Sequence, residues 1–291
     1  MKNFAVLNLE HFEGRNKVDG FHVNTIENHI VTANRNIHKP HKHSFYLTVL
    51  FTHGVGKHEI DFETYDVKPG SLFFLNPGQM HHWELSEDIR GFIFFHSQSF
   101  YDLHFSTERI IQFPFFHSIQ NLPVLYLEEQ NLPYFVGLFR QILEENISGN
   151  IFKTQKILAL TELVYIESTR LYVGEEVLET VGLNTYSEKF QQFERLVELH
   201  YKTEKAASKY AEWLHVSPKH LNRIAQNMVN KTTTDIILER VFLEAKRELI
   251  TQKFSFSEIA ADLGYVDYAY FSRLFKRKCG VTPKEFLRHY G

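Results

Sequence analysis

Two stretches of the sequence set polar and basic side chains on one side of an apolar stripe. Downstream, Tyr268, Ala269, Ser272, Arg273 and Lys276 fall on one face of a helix at about 100° per residue, opposite Phe271, Leu274 and Phe275. Upstream, Lys219, Asn222, Arg223 and Gln226 oppose Leu221, Ile224, Ala225 and Met228, with His220 on the rim. Such side chains suit the edges of base pairs: arginine matches the acceptors of guanine, and asparagine the donor–acceptor pair of adenine. Base contacts are therefore expected from Lys219, His220, Asn222, Arg223, Tyr268, Ala269, Ser272 and Arg273. Phosphate contacts are expected from Lys231, Thr232, Lys276, Arg277 and Thr282, some through N–H groups at helix starts. Arg273 has a second reading as a scaffold ion-pair partner, because arginine recurs at the matching upstream place.

The elements that must position these residues are short helix pairs. In residues 257–288, Ile259, Ala260 and Leu263 form a first stripe, which Gly264 closes as a residue free to take positive φ. Asp267 then stands as N-cap of the second helix. A support helix, a tight turn and a helix with a basic outer face make a helix-turn-helix, which lays its second helix in the major groove. The run I-A-x-x-x-G-Y, then D-Y-A-Y-F-S-R-L-F-K-R, then G-V-T-P-x-x-F-x-R closely resembles the signature of AraC/XylS-type transcription regulators.

That resemblance implies a second copy upstream. Tyr210, Ala211 and Leu214 match Ile259, Ala260 and Leu263 at an offset of 49, and Leu221, Arg223, Asn230 and Thr232 match Phe271, Arg273, Gly280 and Thr282 at 50. Asn230 replaces the usual glycine with the next-best residue for a left-handed helix end. Between the copies, residues 235–251 read as one helix with Ile237, Val241, Ala245 and Leu249 inward. A rigid connector would set the two reading helices in successive major grooves, about 34 Å apart.

The net charge of −3 over 291 residues hides an asymmetry. From residue 187 onward there are 18 Lys and Arg against 13 Asp and Glu, net +5; the first 186 residues hold 14 against 22, net −8. One module facing DNA and one staying off it fit that division. The lone Cys279 can form no internal disulfide, which suits a reducing cytoplasm. The opening residues lack the apolar run of a signal peptide, and no uncharged stretch is long enough to span a bilayer. A soluble, cytoplasmic protein is expected.

Residues 1 to about 125 read as β. Alternation marks residues 21–27, 44–52, 57–62 and 91–95, separated by turns such as Lys68-Pro69-Gly70 and Asn76-Pro77-Gly78. The stretches HKPHKHSFYLTVLFTHGVG and DVKPGSLFFLNPGQMHHW look like the cupin barrel carried at the N-terminus of AraC-like regulators. Thirteen of the 17 histidines precede residue 187, and His41, His43 and His81 or His82 occupy places where metal-binding cupins keep ligands. Those cupins add a glutamate four or five residues after the second histidine, where Leu47 and Thr48 stand here. No metal and no cofactor are therefore expected.

The resemblance implies instead an organic effector, with His41, His43, Phe45, Tyr46, Leu47, Phe51 and His81 as pocket residues. Alternation leaves open whether the His43–Phe45–Leu47–Val49–Phe51 set or the Tyr46–Thr48 set faces inward. Nineteen of the 27 phenylalanines precede residue 187, which suits an aromatic-lined pocket or a filled small barrel. From residue 132 to about 173 the period turns helical, with a break near Ser148-Gly149-Asn150. The stripes are broad enough for a homodimer contact as well as internal packing. Residues 174–186 read as a linker, and Ser187 as the N-cap of the next helix.

The expected fold is two-domain α+β. Residues 1–173 form a cupin-like β-barrel with a helical dimerisation segment, and residues 187–291 an all-α domain with two helix-turn-helix motifs. The resemblance implies a non-enzymatic, effector-modulated transcription activator whose partners are double-stranded DNA, a small molecule, a second copy and RNA polymerase. The competing classes are a metal-dependent cupin enzyme fused to a DNA-binding domain, and a constitutive DNA-binding protein whose barrel serves only as a dimer scaffold.

Overall fold

The computed structural model describes residues 6–12, 18–32, 40–102, 110–117, 121–173 and 185–290. They divide into two compact units, one up to residue 173 and one from residue 185. The linker expected at 174–186 lies outside the described residues except for its last two.

The N-terminal unit is built from β1 (Val6–Leu7), β2 (Phe21–Thr25), β3 (His41–His43), β4 (Tyr46–His53), β5 (Gly56–Ile60), β6 (Glu63–Val67), β7 (Ser71–Leu75), β8 (Met80–Leu85), β9 (Arg90–His96) and β10 (Val124–Tyr126). They form two five-stranded sheets, ordered β1-β3-β8-β5-β6 and β10-β7-β4-β9-β2. All pairings are antiparallel except β1 with β3. The strand expected over 21–27 stops early, because the chain turns into α1 (Ile26–Thr32).

Pleating sorts β4 between two cores. Phe45, Leu47, Val49 and Phe51 pack with Phe73, Ile93, Phe95 and Trp83 between the sheets. Tyr46 and Leu50 face the other way and pack with Phe74 and Phe94 against α4 (Leu132–Ile147) and α5 (Lys153–Val173). Each buried phenylalanine contributes roughly 1.5–3 kcal/mol of transfer free energy. The helices break where expected, at residues 148–152.

The C-terminal unit holds α6 (Thr185–His200), α7 (Ala207–Trp213), α8 (Pro218–Val229), α9 (Thr233–Thr251), α10 (Phe256–Asp262), α11 (Tyr268–Cys279) and α12 (Pro283–Tyr290). Helix α6 begins at Thr185, so Ser187 lies in its first turn and is not the N-cap the sequence suggested. Helix α9 packs against all the others, with Ile237, Val241, Ala245 and Leu249 buried as read from the sequence. Its Arg240, 7% exposed, pairs with Glu198 at 2.7 Å and Glu244 at 3.1 Å and lies 3.9 Å from the Tyr201 ring centroid. That cluster pins the connector to α6. Among the described residues no helix is long and apolar enough to cross a membrane.

Candidate nucleic-acid interface and barrel interior

Both helix-turn-helix motifs are closed at each end by local chemistry. Helix α8 starts with Pro218 behind Ser217, whose hydroxyl accepts from His220 N at 3.1 Å. Helix α11 starts behind Asp267, whose carboxylate accepts from Ala269 N at 2.7 Å. Their C-caps are left-handed, Asn230 at φ 53° and Gly280 at φ 80°. Asn thus takes the place of Gly at modest strain. Gly264 also has φ 80°, and a Cβ there would lie 2.3 Å from Lys202 O, so glycine is required twice over at that turn.

Buried stripes turn the opposite faces outward. Leu221, Ile224 and Ala225 fix α8, and Phe271, Leu274 and Phe275 fix α11. Lys219, Arg223, Ala269, Arg273, Lys276 and Arg277 are exposed, while His220, Asn222, Tyr268 and Ser272 are half-buried. Arg273 is exposed and makes no ion pair among the described residues.

The upstream side chains are more engaged than their sequence suggests. The Asn222 side-chain oxygen accepts from Thr233 N at 3.1 Å, tying α8 to the start of α9. Arg223 Nη2 lies 2.9 Å from His220 Nδ1, and Lys231 pairs with Glu239 at 2.8 Å. Thr232 and Thr282 serve as helix caps. Thr232 accepts from Asp235 N at 3.1 Å, and Thr282 exchanges hydrogen bonds with Glu285 at 2.7 and 3.2 Å. Such caps still leave first-turn N–H groups beside the basic faces. Lys278, which sequence reasoning missed, pairs with Asp235 across the motifs and holds that carboxyl below its usual range. The partners lie 43 residues apart, and nothing local announces the pairing.

In the barrel, the expected pocket residues separate by face. His41, His43, Phe45, Leu47, Phe51 and His81 are all buried, and all but Leu47 belong to one ring-to-ring network, which Phe51 joins through Trp83. Within it His43 stacks on Phe45, and His81 meets both His41 and His43. Tyr46 lies in the other core, stacked on His96, because its place in the pleat is out of phase with Phe45 and Leu47. His58 joins the interior set, its Nε2 lying 3.0 Å from His81 Nδ1, and Trp83 packs beside both. Alternation with Ile60 in β5 was the signal for His58.

Burial, first of all, drives the imidazoles towards their neutral forms. His43 falls to about 3, and His58 and His81 fall well below their ordinary value. His43 Nδ1 donates to Phe45 O at 2.7 Å, leaving Nε2 as a lone pair. His43 Nε2, His58 Nδ1, His81 Nε2 and Trp83 Nε1 are buried without a hydrogen-bond partner. Among the described residues no three His, Cys, Asp or Glu side chains are arranged to hold a metal ion. The interior is thus an aromatic core with uncharged polar atoms.

A two-sheet barrel domain carrying helices, joined in sequence to a helical domain with paired helix-turn-helix motifs, defines a ligand-responsive DNA-binding regulator. Residues 25–160 match the AraC-like ligand binding domain family, and residues 210–289 the helix-turn-helix domain family. The chain is 22% identical over 247 residues to the arabinose operon regulatory protein of Salmonella typhimurium, covering 83% of each chain. It is 23% identical over 264 residues to the HTH-type transcriptional activator RhaS of Mannheimia succiniciproducens, covering 87% of this chain and 90% of that one. Over 82 residues it is 37% identical to the regulatory protein SoxS of Escherichia coli, covering 28% of this chain and 70% of SoxS. The chain belongs to the AraC family of transcription regulators.

Proposed function

We propose that this AraC-family regulator binds its operator through the outer faces of α8 and α11 and that a small organic effector in the barrel modulates that binding. The observation that carries the reading is the pair of polar, basic helix faces turned outward by buried stripes on either side of one packed connector. Lys219, His220, Asn222, Arg223, Tyr268, Ala269, Ser272 and Arg273 face bases in this reading, and Lys231, Thr232, Lys276, Arg277 and Thr282 serve phosphates. The effector lies among the inward set, with Tyr46 outside its reach.

The role is regulatory and not enzymatic, in the cytoplasm, and needs no metal or cofactor. Activation with RNA polymerase is proposed from the family resemblance and from the activator similar to this chain. A homodimer through α4 and α5 draws support from Ile147, Ile151 and Phe152, which are 73%, 84% and 71% exposed at the turn between those helices. The test is operator affinity of the full chain with and without a host metabolite extract. An affinity that changes with the extract is expected. Tight, specific binding that no metabolite alters would favour a constitutive binder.

A further inference from the structure

The two reading helices differ in the hydrogen-bonding sense of what they present. Resting on the reading of α8 and α11 as the DNA-contacting helices, we infer that α8 presents donors alone over its first two turns. It therefore selects a run of guanines on one strand, while α11 reads a mixed sequence.

Three constraints fix the sense of α8. A backbone N–H can only donate, so the Asn222 atom facing Thr233 N at 3.1 Å is the carbonyl oxygen, and the opposite side of the amide carries the NH2 group. Asn222 then cannot offer adenine the paired acceptor and donor expected from sequence. A guanidinium likewise has no acceptor, so His220 Nδ1, 2.9 Å from Arg223 Nη2, is the accepting nitrogen. An accepting Nδ1 bears no proton, and the imidazole hydrogen sits on Nε2. Lys219 and Arg223 donate by chemistry. Gln226, able to do both, lies a turn beyond.

Guanine matches such a face best because its major-groove edge shows two acceptors, N7 and O6, whereas adenine shows one acceptor beside a donor and thymine one acceptor beside a methyl. Helix α11 is built otherwise. The Tyr268 and Ser272 hydroxyls donate and accept, Ala269 is an exposed methyl suited to the thymine C5-methyl, and Arg273 donates. Apart from the matching Arg223 and Arg273, equivalent positions in the two copies thus serve different base classes.

The experiment is selection of the full-length protein on randomised duplex DNA, repeated with Arg223→Ala and Arg273→Ala. Positions that lose preference in Arg223→Ala are those read by α8. They should be consecutive guanines on one strand, and a single guanine-to-adenine change there should cost about 5- to 150-fold in affinity. Adenine, cytosine or thymine selected at those positions would overturn the inference while leaving sequence-specific DNA binding intact. Selection of no sequence at all would sink the DNA-reading function itself. Asn222→Asp keeps an acceptor for Thr233 N–H, so its melting temperature should match the parent. It replaces the outward NH2 by an oxygen, and one selected guanine should become cytosine, whose N4 donates. An unchanged guanine in that variant would show that Asn222 does not present its donors to the base.

Discussion

In the barrel, nitrogen-bearing side chains point inward among aromatic rings; on α8 and α11 they stand on faces that solvent reaches. His43, His58 and His81 are at most 1% exposed, and burial removes their charge. Lys219, Arg223, Arg273 and Lys276 are exposed in a part of the chain with a net charge of +5. The difference separates two kinds of recognition. A buried interior discriminates by shape and by uncharged hydrogen bonds, because a buried polar atom left unmatched costs about 1–3 kcal/mol. A solvated cationic face works against a polyanion, and its energy is salt-dependent and partly indifferent to sequence.

Acid should break that comparison most strongly. Burial lowers His29 and His43 to about 3 and His96 to about 4, all from an ordinary 6.5. A histidine with a depressed folded-state pKa contributes stability that is full above about 6.5 and lost as pH falls towards the folded value. At pH 5 each of these three histidines should cost about 2 kcal/mol, on the order of 6 kcal/mol together. Thermal melts followed by circular dichroism should show the N-terminal transition falling steeply between pH 7 and pH 5, with the helical unit's transition little moved. Parallel shifts of both would contradict the burial of charge-free imidazoles.

Core truncation comes next. Phe51→Ala removes a fully buried ring from the barrel interior and should destabilise the N-terminal unit by about 3–5 kcal/mol. At a temperature where the variant stays folded, it should lose the effector response and keep ligand-free DNA binding. Tyr46→Ala, in the other core, should destabilise the unit yet leave effector affinity nearly unchanged. Equal loss of effector affinity in both variants would place the ligand outside the inter-sheet core.

Why one half of the molecule was more legible than the other follows from the range of the interactions. The Asp267 cap, the Gly264 turn and the left-handed Asn230 are decided within a few residues, and each stands where the sequence put it. The barrel depends on pairings between distant strands. Strand β7, SLFFL, is buried on both sides and therefore shows no alternation, and β3 is three residues long. The inward face of β4 was left open because both of its faces are buried, against the facing sheet and against helices. Asn222 was read towards adenine because its bond to Thr233 crosses from one helix to the next, a contact absent from helical periodicity.

On the reading face the expected effects are smaller and differ in kind. Arg273→Ala should weaken operator binding by about 1–3 kcal/mol and relax preference at one base position, measured by fluorescence anisotropy on operator variants. An equal loss on random DNA would remove Arg273 from base readout. Lys276→Ala should weaken all sequences alike and reduce the slope of log affinity against log salt by about one unit. A change confined to the operator would make it a base contact instead.

The most direct test of effector control joins the two units in one titration. An effector identified by thermal shift of the full-length protein is titrated against operator binding by that protein and by a fragment of residues 185–291. A ligand alters binding only through differential affinity for two states of the protein. The fragment keeps both reading helices and the connector but carries none of the barrel. Operator affinity of the full-length protein should therefore change with effector while that of the fragment stays constant, and an equal response in the fragment would contradict an effector site in the barrel.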